Sequence, residues 1–273
     1  MLLRVLRDIF ARTPPPPGPR RDEKTCDRLL RSLVEQGKFE EALAVYDAVV
    51  AEGIRPCEPQ FDAAYRDALA ATRTSPFPLH RRSRFHQLYR LLGEILPLSG
   101  EVAECGCFRG LSSHLILSRL RRADPACAGQ GYHVFDSFEG LSEPGAVDRG
   151  VDENPSLTRL FQDAQRGWFA VPLEVVRQGL GDFPGVSYHP GWIPASFEGQ
   201  PERRYRFVHL DLDLHDPTLG ALEYFYPRLV PGAVIVCDDY QWPGERKAIH
   251  DFCARQGIDF ATTPTGQAVL RRA

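Results

Sequence analysis

The stretch that most limits the fold runs from Arg206 to Asp239, RFVHLDLDLHDPTLGALEYFYPRLVPGAVIVCDD. Two short apolar runs rich in β-branched residues, Phe207 to Leu210 and Ala233 to Cys237, read as buried strands. Between them, Pro217 to Leu229 carries Leu219, Leu222, Phe225, Tyr226 and Leu229 at helical spacing, and Pro231-Gly232 reads as its stop. A strand–helix–strand unit predicts two parallel neighbouring strands whose C-terminal ends share one edge of the sheet. Open α/β sheets bind ligands at that edge. Each run ends in acids: Asp211 and Asp213 after the first, Asp238 and Asp239 after the second. Carboxylates gathered there repel one another unless a cation lies between them, and hard oxygen ligands suit Mg²⁺ or Ca²⁺. The plainer alternative makes Asp211 and Asp238 strand-end caps and leaves the rest facing water.

A second informative stretch is Glu101 to Ser113, EVAECGCFRGLSS. It predicts a short strand ending at Glu104, a turn holding Gly106 and Gly110, and a helix opening at Ser112 or Ser113. Glycines let backbone approach a ligand closely, and the helix start offers unpaired N–H groups. The turn lacks the three glycines that seat a dinucleotide pyrophosphate. The next strand, Tyr132 to Asp136, again ends in an acid, placed to bind both hydroxyls of a ribose. An adenosine without a diphosphate is the expected cofactor chemistry, and S-adenosylmethionine has it. The structural alternative for Asp136 is a helix N-cap. After Ser137, residues 141–167 are polar and rich in Gly and Pro, which predicts a loop or lid. A helix from Pro172 to Gly181 and a strand from Gly185 to His189 lead to Pro190-Gly-Trp192-Ile-Pro194, a turn beside the adenosine edge. Glu245 to Gln256 predicts a helix, and Ile258 to Arg272 a hairpin around Thr263 to Gly266.

Upstream, residues 1–20 read as a short amphipathic segment and a polyproline spacer, and residues 21–74 as helical. Leu29, Leu30, Leu33 and Val34 form one stripe, Phe39, Ala42, Leu43, Tyr46 and Val50 a second, with a third helix from Phe61 to Ala71. The pattern resembles one tetratricopeptide unit. Too few repeats are present for a solenoid, so the stripes need cover from the main domain (75–273) or from a second subunit in a homo-oligomer. A formal net charge of −3 argues against a nucleic-acid partner. Seven cysteines without a Cys-x-x-Cys pair suggest free thiols in a reducing cytoplasm, and no run is long enough to span a bilayer.

From about Ser75 to Arg272 the chain resembles the macrocin O-methyltransferase (TylF-type) family of S-adenosylmethionine-dependent enzymes. The resemblance rests on the words VAECGCFRGLSS, FDSFEGL, PGWIPASF, HLDLDLHDPTLGALEYFYPRLVPGAVIVCDDY and TGQAV, in order. It implies a class I methyltransferase α/β fold: Rossmann-like, mostly parallel, closed by a C-terminal antiparallel hairpin. It also implies methyl transfer to the hydroxyl of a sugar or other small natural product, and a divalent metal, usually Mg²⁺. Carried over by position, Asp211, Asp238 and Asp239 would be metal ligands and Asp211 also the general base. Glu104, Gly106 and Asp136 would hold the cofactor, within a surface completed by Phe108, Arg109, Gly110, Ser112, Ser137 and Trp192. Two departures stand out: Leu111 replaces the family's usual second glycine, and the helices before residue 75 look additional. His133, His209 and His215 are alternative bases; His209, inside a strand, reads better as core, and His215 as the better substitute. Asp213 and Asp216 read as outer contacts or helix caps. A rival reading makes the sheet a silent scaffold and the helical hairpin a protein-binding module.

Overall fold

The computed structural model describes residues 22–53, 57–150 and 155–273. The expected amphipathic segment and polyproline spacer of residues 1–20 lie outside the described residues. Helix α1 (Glu23–Glu35) starts where the Asp22 carboxylate accepts the Lys24 N–H at 3.3 Å, an N-cap. The link through Gly37 then leads into α2 (Phe39–Ala51), and α3 (Pro59–Thr72) opens with proline in its first turn. Their inward faces, including Leu30, Leu43, Tyr46, Phe61 and Tyr65, are buried in one cluster. Leu29 does not join it and is 39% exposed. Adjacent helical positions lie about 100° apart, so Leu29 and Leu30 cannot both face inward.

The same cluster takes in Leu79 and Tyr89 and, from beyond the first strand, Leu111 and Leu115. Helix α4 (Arg81–Ile95) carries Tyr89, and α5 (Leu111–Ala123) carries the two leucines. The N-terminal helices therefore share a core with the body they cover. Leu111, the departure from glycine, is one of the side chains that joins them.

The sheet has seven strands in the order β3-β2-β1-β4-β5-β7-β6. These are β1 (Glu101–Cys105), β2 (Tyr132–Asp136), β3 (Ser187–Pro190), β4 (Tyr205–Leu210), β5 (Leu229–Cys237), β6 (Ala261–Thr262) and β7 (Ala268–Arg271). The first five pair in parallel, while β7 runs antiparallel between β5 and β6. From β1 the chain travels outward to β3 and then returns to the other side of β1 as β4. That reversal opens a crevice beyond the C-terminal ends of β1 and β4. One face of the sheet is covered by α4, α5 and α7 (Leu173–Gly179), the other by α8 (His215–Phe225) and α9 (Pro243–Gln256). The cysteines are all free thiols. No helix among the described residues is long and apolar enough to cross a membrane.

Several boundaries differ from the expected ones. Strand β1 continues through Cys105, which places Glu104 inside the strand. Helix α8 begins at His215 and gives way to a 3-10 turn at Tyr226–Arg228, because Pro227 cannot donate to a continuing helix. Pro231 and Gly232 then fall within β5 and are not the stop. The segment expected as loop holds a 3-10 turn (Ala146–Asp148) and a short helix, α6 (Pro155–Asp163), with residues 151–154 outside the described set. Phe161 anchors α6 against Trp242, their rings 4.8 Å apart.

Candidate functional site

The crevice is a cleft of about 560 Å³, lined at one end by the turn after β1 and at the other by the acids ending β4 and β5. Gly106 (φ +79) permits the turn: a Cβ there would lie 2.0 Å from the Asp211 carbonyl oxygen. Asp136 Oδ2 accepts the Cys107 N–H at 2.7 Å, and Oδ1 accepts the Phe138 N–H at 2.7 Å. Each carboxylate oxygen keeps a second lone pair, and Asp136 borders the cleft, so it can also accept from a ligand hydroxyl. Ser137, whose hydroxyl donates to the Gly140 carbonyl at 2.8 Å, lines the cleft with Phe108, Ser112 and Trp192. Phe108 (φ 49) and Phe169 (φ 65) meet edge to face at the same cleft, 43% and 47% exposed. A carboxylate acceptor beside a bare glycine turn fits an adenosine bearing an amino-acid tail.

Three expected cofactor residues do not reach the cleft surface. Glu104 is fully buried beneath it, accepting from Ser113 Oγ and from the Tyr132 hydroxyl at 2.7 Å, with His209 Nδ1 2.9 Å away. Arg109 turns outward, its Nε donating to the Thr72 carbonyl at 3.1 Å and tying the turn to α3. Gly110 (φ +87) caps α5 from a buried position against Val176 and Leu180.

At the other end, one carboxylate oxygen each of Asp211, Asp213 and Asp239 lie within 4.8 Å of one another. Hard cations hold oxygen ligands at about 2.0–2.6 Å, so ligands of one ion lie no more than about 5 Å apart. The donor set fits such an ion. The resemblance gave Asp238, with Asp211 and Asp239, as a ligand; Asp213 also brings an oxygen to this group, and Asp238 lines the same cleft beside it. Asp213 adopts a left-handed backbone (φ 61) that brings its carboxylate to the cluster. Asp238 borders the same cleft: Oδ1 accepts Gln267 Nε2 at 2.6 Å and lies 3.5 Å from His209 Nε2, while Oδ2 pairs with Arg84. Arg84 also donates to Asp239 Oδ1 at 2.8 Å.

Burial, reinforced by the charges of Asp239 and Asp238, pushes the Asp211 carboxyl well above the ordinary carboxylate range. Burial and then Asp239 do the same to Asp213. For Asp238 burial pulls upward too, but Arg84 and His209 outweigh it and hold the group below the ordinary range. His209 shows the reverse balance: burial would lower it, yet its bonds to Asp238 and Glu104 hold it up at about 9. It is a packed core histidine linking two acids, as its place in a strand suggested. Of the other candidate bases, His215 is turned to Asp216 and Asp251 (2.7 and 3.3 Å) and does not line the cleft. His133 is buried between His189 and Glu101, at the far end of β2 from the carboxylates.

Sequence reasoning missed Arg84, Gln267 and Glu245. Glu245, fully buried at the start of α9, accepts the Asp239 N–H at 2.9 Å and so fixes the chain behind the cluster. Gln267 stood within the quoted word TGQAV, which was a signal available to be read. Asp148, also missed, accepts the His215 N–H at 2.7 Å and ties the segment over the cleft to the start of α8.

A family model described as Macrocin-O-methyltransferase (TylF) matches residues 33–265. That span includes α2 and α3, so these helices are not an addition to the matched region. The chain is 38% identical over 164 residues to the 8-demethyl-8-(2,3-dimethoxy-alpha-L-rhamnosyl)-tetracenomycin-C 4'-O-methyltransferase of Streptomyces olivaceus, covering 58% of this chain and 60% of that protein. It is 30% identical over 161 residues to the Mycinamicin III 3''-O-methyltransferase of Micromonospora griseorubida, covering 58% and 62%. The match thus spans about three fifths of the length of these curated relatives. Among solved structures, the calicheamicin methyltransferase CalS11 superposes with a TM-score of 0.59 at 21% identity, over 80% of this chain and 95% of that one. The O-methyltransferase NovP gives 0.57 at 22% identity, over 70% and 79%. At those identities the likeness establishes a shared fold.

Proposed function

The chain belongs to the macrocin-O-methyltransferase (TylF) family, and on that premise we propose that it methylates a hydroxyl of a sugar or similar small natural product, using S-adenosylmethionine and a divalent cation, Mg²⁺ by default. One observation carries the reading. The Asp136 cradle and the Asp211, Asp213 and Asp239 cluster open into the same cleft, so a methyl donor and an acceptor can meet between them.

S-adenosylmethionine supplies an electrophilic methyl sulfonium. Asp136 would take the ribose hydroxyls, and the turn at Gly106 to Phe108 would give its bare backbone to the amino-acid tail. Asp211, Asp213 and Asp239 would hold the divalent ion, which when bound lowers the pKa of a hydroxyl beside it. Asp211 would be placed to take the acceptor proton, and the cofactor would supply its methyl group to the freed oxygen, its sulfur keeping the electron pair of the broken C–S bond. Leu141, Leu160 and Trp242 wall the cleft and exclude water from the reacting atoms. Two curated relatives of this chain carry names of sugar-directed O-methyltransferases, and an acid is present at every strand end the chemistry needs. Nothing favours the silent-scaffold alternative.

The test is to incubate the purified chain with S-adenosylmethionine, Mg²⁺ and a panel of deoxysugar glycosides, and to follow mass by fragmentation. A gain of one methyl group on a sugar oxygen is expected. No gain on any hydroxyl, together with no heat-stabilisation by S-adenosylmethionine, would overturn the reading.

A further inference from the structure

We propose that His209 is a positioning residue of the carboxylate site: from beneath the cleft its imidazole ties Asp238 to the buried Glu104, and its Nε2 sets how Asp238 presents itself to the divalent ion. The inference rests on the metal reading above and deepens it, since it concerns what holds the carboxylates in place.

His209 lies in β4, in register with Glu104 of β1 on one side and Val236 of β5 on the other. On that face of the sheet Phe207, Val234 and Val236 belong to the apolar core beneath α4 and α5. A polar thread runs through this core. Ser113 Oγ and, at 2.7 Å, the Tyr132 hydroxyl donate to Glu104 Oε2, and Glu104 Oε1 lies 2.9 Å from His209 Nδ1. His209 Nε2 in turn lies 3.5 Å from Asp238 Oδ1, the oxygen that accepts Gln267 Nε2 at 2.6 Å. Glu104 and His209 are 0% and 1% exposed, so the thread opens to the cleft only at Asp238.

Such a thread is a poor way to stabilise a sheet. Burying an ion pair strips the hydration from both partners, and an apolar side chain in its place packs as well or better. A histidine with an acid on each ring nitrogen does what an apolar residue cannot: it donates in two opposite directions. The Glu104 side is closed, at hydrogen-bond distance. The Asp238 side is long, and the buried Nε2 has no nearer partner. An unmet buried donor is costly, so Nε2 draws on Oδ1 from below. Oδ2 pairs with Arg84 and keeps a lone pair for a cation in the cleft. Asp239 follows directly on Asp238, so a turn of the first also bears on the cluster with Asp211 and Asp213.

The two directions can be removed separately. Asparagine carries an amide nitrogen near the place of Nδ1 and glutamine near that of Nε2, so each keeps one donor. Mn²⁺ binding, read by electron paramagnetic resonance without acceptor or turnover, is the measurement. His209→Asn, which keeps only the Glu104 side, is expected to bind Mn²⁺ at least about tenfold more weakly than the native chain, the usual cost of losing an outer partner of a metal ligand. His209→Gln, which keeps the Asp238 side, is expected to stay within about threefold of it. A histidine that only filled the core would give both variants the same Mn²⁺ affinity, whatever their melting temperatures. Equal affinities in the two variants, weaker binding by His209→Gln than by His209→Asn, or native binding by His209→Asn overturns the proposal and leaves the metal reading standing. Should either variant fail to fold, Glu104→Gln loosens the imidazole from below without touching the cleft. It is expected to weaken Mn²⁺ binding at least about threefold, and unchanged binding there overturns the proposal equally. Absence of Mn²⁺ binding by the native chain overturns both readings.

Discussion

The backbone N–H of Cys107 donates to Asp136 Oδ2 at 2.7 Å, so the turn after β1 is held in place by the acid that ends β2. One carboxylate therefore both shapes the glycine turn and faces the ligand across it. Asp136→Ala is expected to weaken S-adenosylmethionine binding by removing charge-assisted hydrogen bonds of about 1.5–3 kcal/mol each. Asp136→Asn keeps an acceptor oxygen and should lose less. Isothermal calorimetry on the two variants checks this; unchanged affinity in Asp136→Ala would refute the ribose assignment.

Leu111, at the position where the resemblance implied a second glycine, packs into the core shared with the N-terminal helices. Truncating it leaves a cavity between α5 and those helices. Leu111→Ala should destabilise the protein by about 2–5 kcal/mol, read from chemical denaturation. A loss below about 1 kcal/mol would mean that the helices are fixed elsewhere. Deleting residues 22–74 would uncover Leu79, Tyr89, Leu111 and Leu115 together, and the shortened chain is expected to aggregate.

Stability should also fall on mild acidification, through His133 and His189. Their ring nitrogens are 3.0 Å apart, and burial pushes each down to about 4. Glu101 beside His133 pulls the other way, but Arg203 lies 3.3 Å from the same Glu101 oxygen and already neutralises it. With folded values below the unfolded value of about 6.5, the unfolded chain binds more protons as pH drops. The contribution is fully present above pH 6.5 and is lost between about 6.5 and 4. The denaturation midpoint of His189→Gln should therefore drop less between pH 7 and pH 5 than that of the native chain. Parallel curves for the two would contradict the account.

Much of this architecture is legible in the residues, and the exceptions have physical causes. The β4–α8–β5 unit could be read because apolar runs and helical spacing are local, and the acids follow directly on the strands. That Asp136 ends β2 could be read for the same reason. The place of Asp213 beside Asp211 and Asp239 could not, since it goes with one left-handed backbone angle, nor could the pairing of Asp238 with a guanidinium from 154 residues away. The burial of Glu104 could not be read either, because β1 runs one residue farther and its partners Ser113, Tyr132 and His209 come from three other elements. Helix α6 escaped notice because it is nine residues long and its anchor, Trp242, lies far along the chain.

Asp213 and Asp239 should be separable from Asp211 by metal rescue. Asp213→Asn and Asp239→Asn each keep one ligand oxygen, so both should lower metal affinity and recover part of their turnover in excess Mg²⁺. Failure of excess Mg²⁺ to restore any activity to either variant would remove that residue from the ligand set.

The claim that the carboxylate cluster carries the chemistry is tested most directly by turnover against free Mg²⁺ after exhaustive chelation, in the native chain and in Asp211→Asn. The native chain should fall to background and regain full activity as Mg²⁺ is returned. Asp211→Asn should stay at background at every Mg²⁺ concentration while binding S-adenosylmethionine normally. Undiminished turnover in the chelated native chain, with Asp211→Asn equally active, would contradict the account.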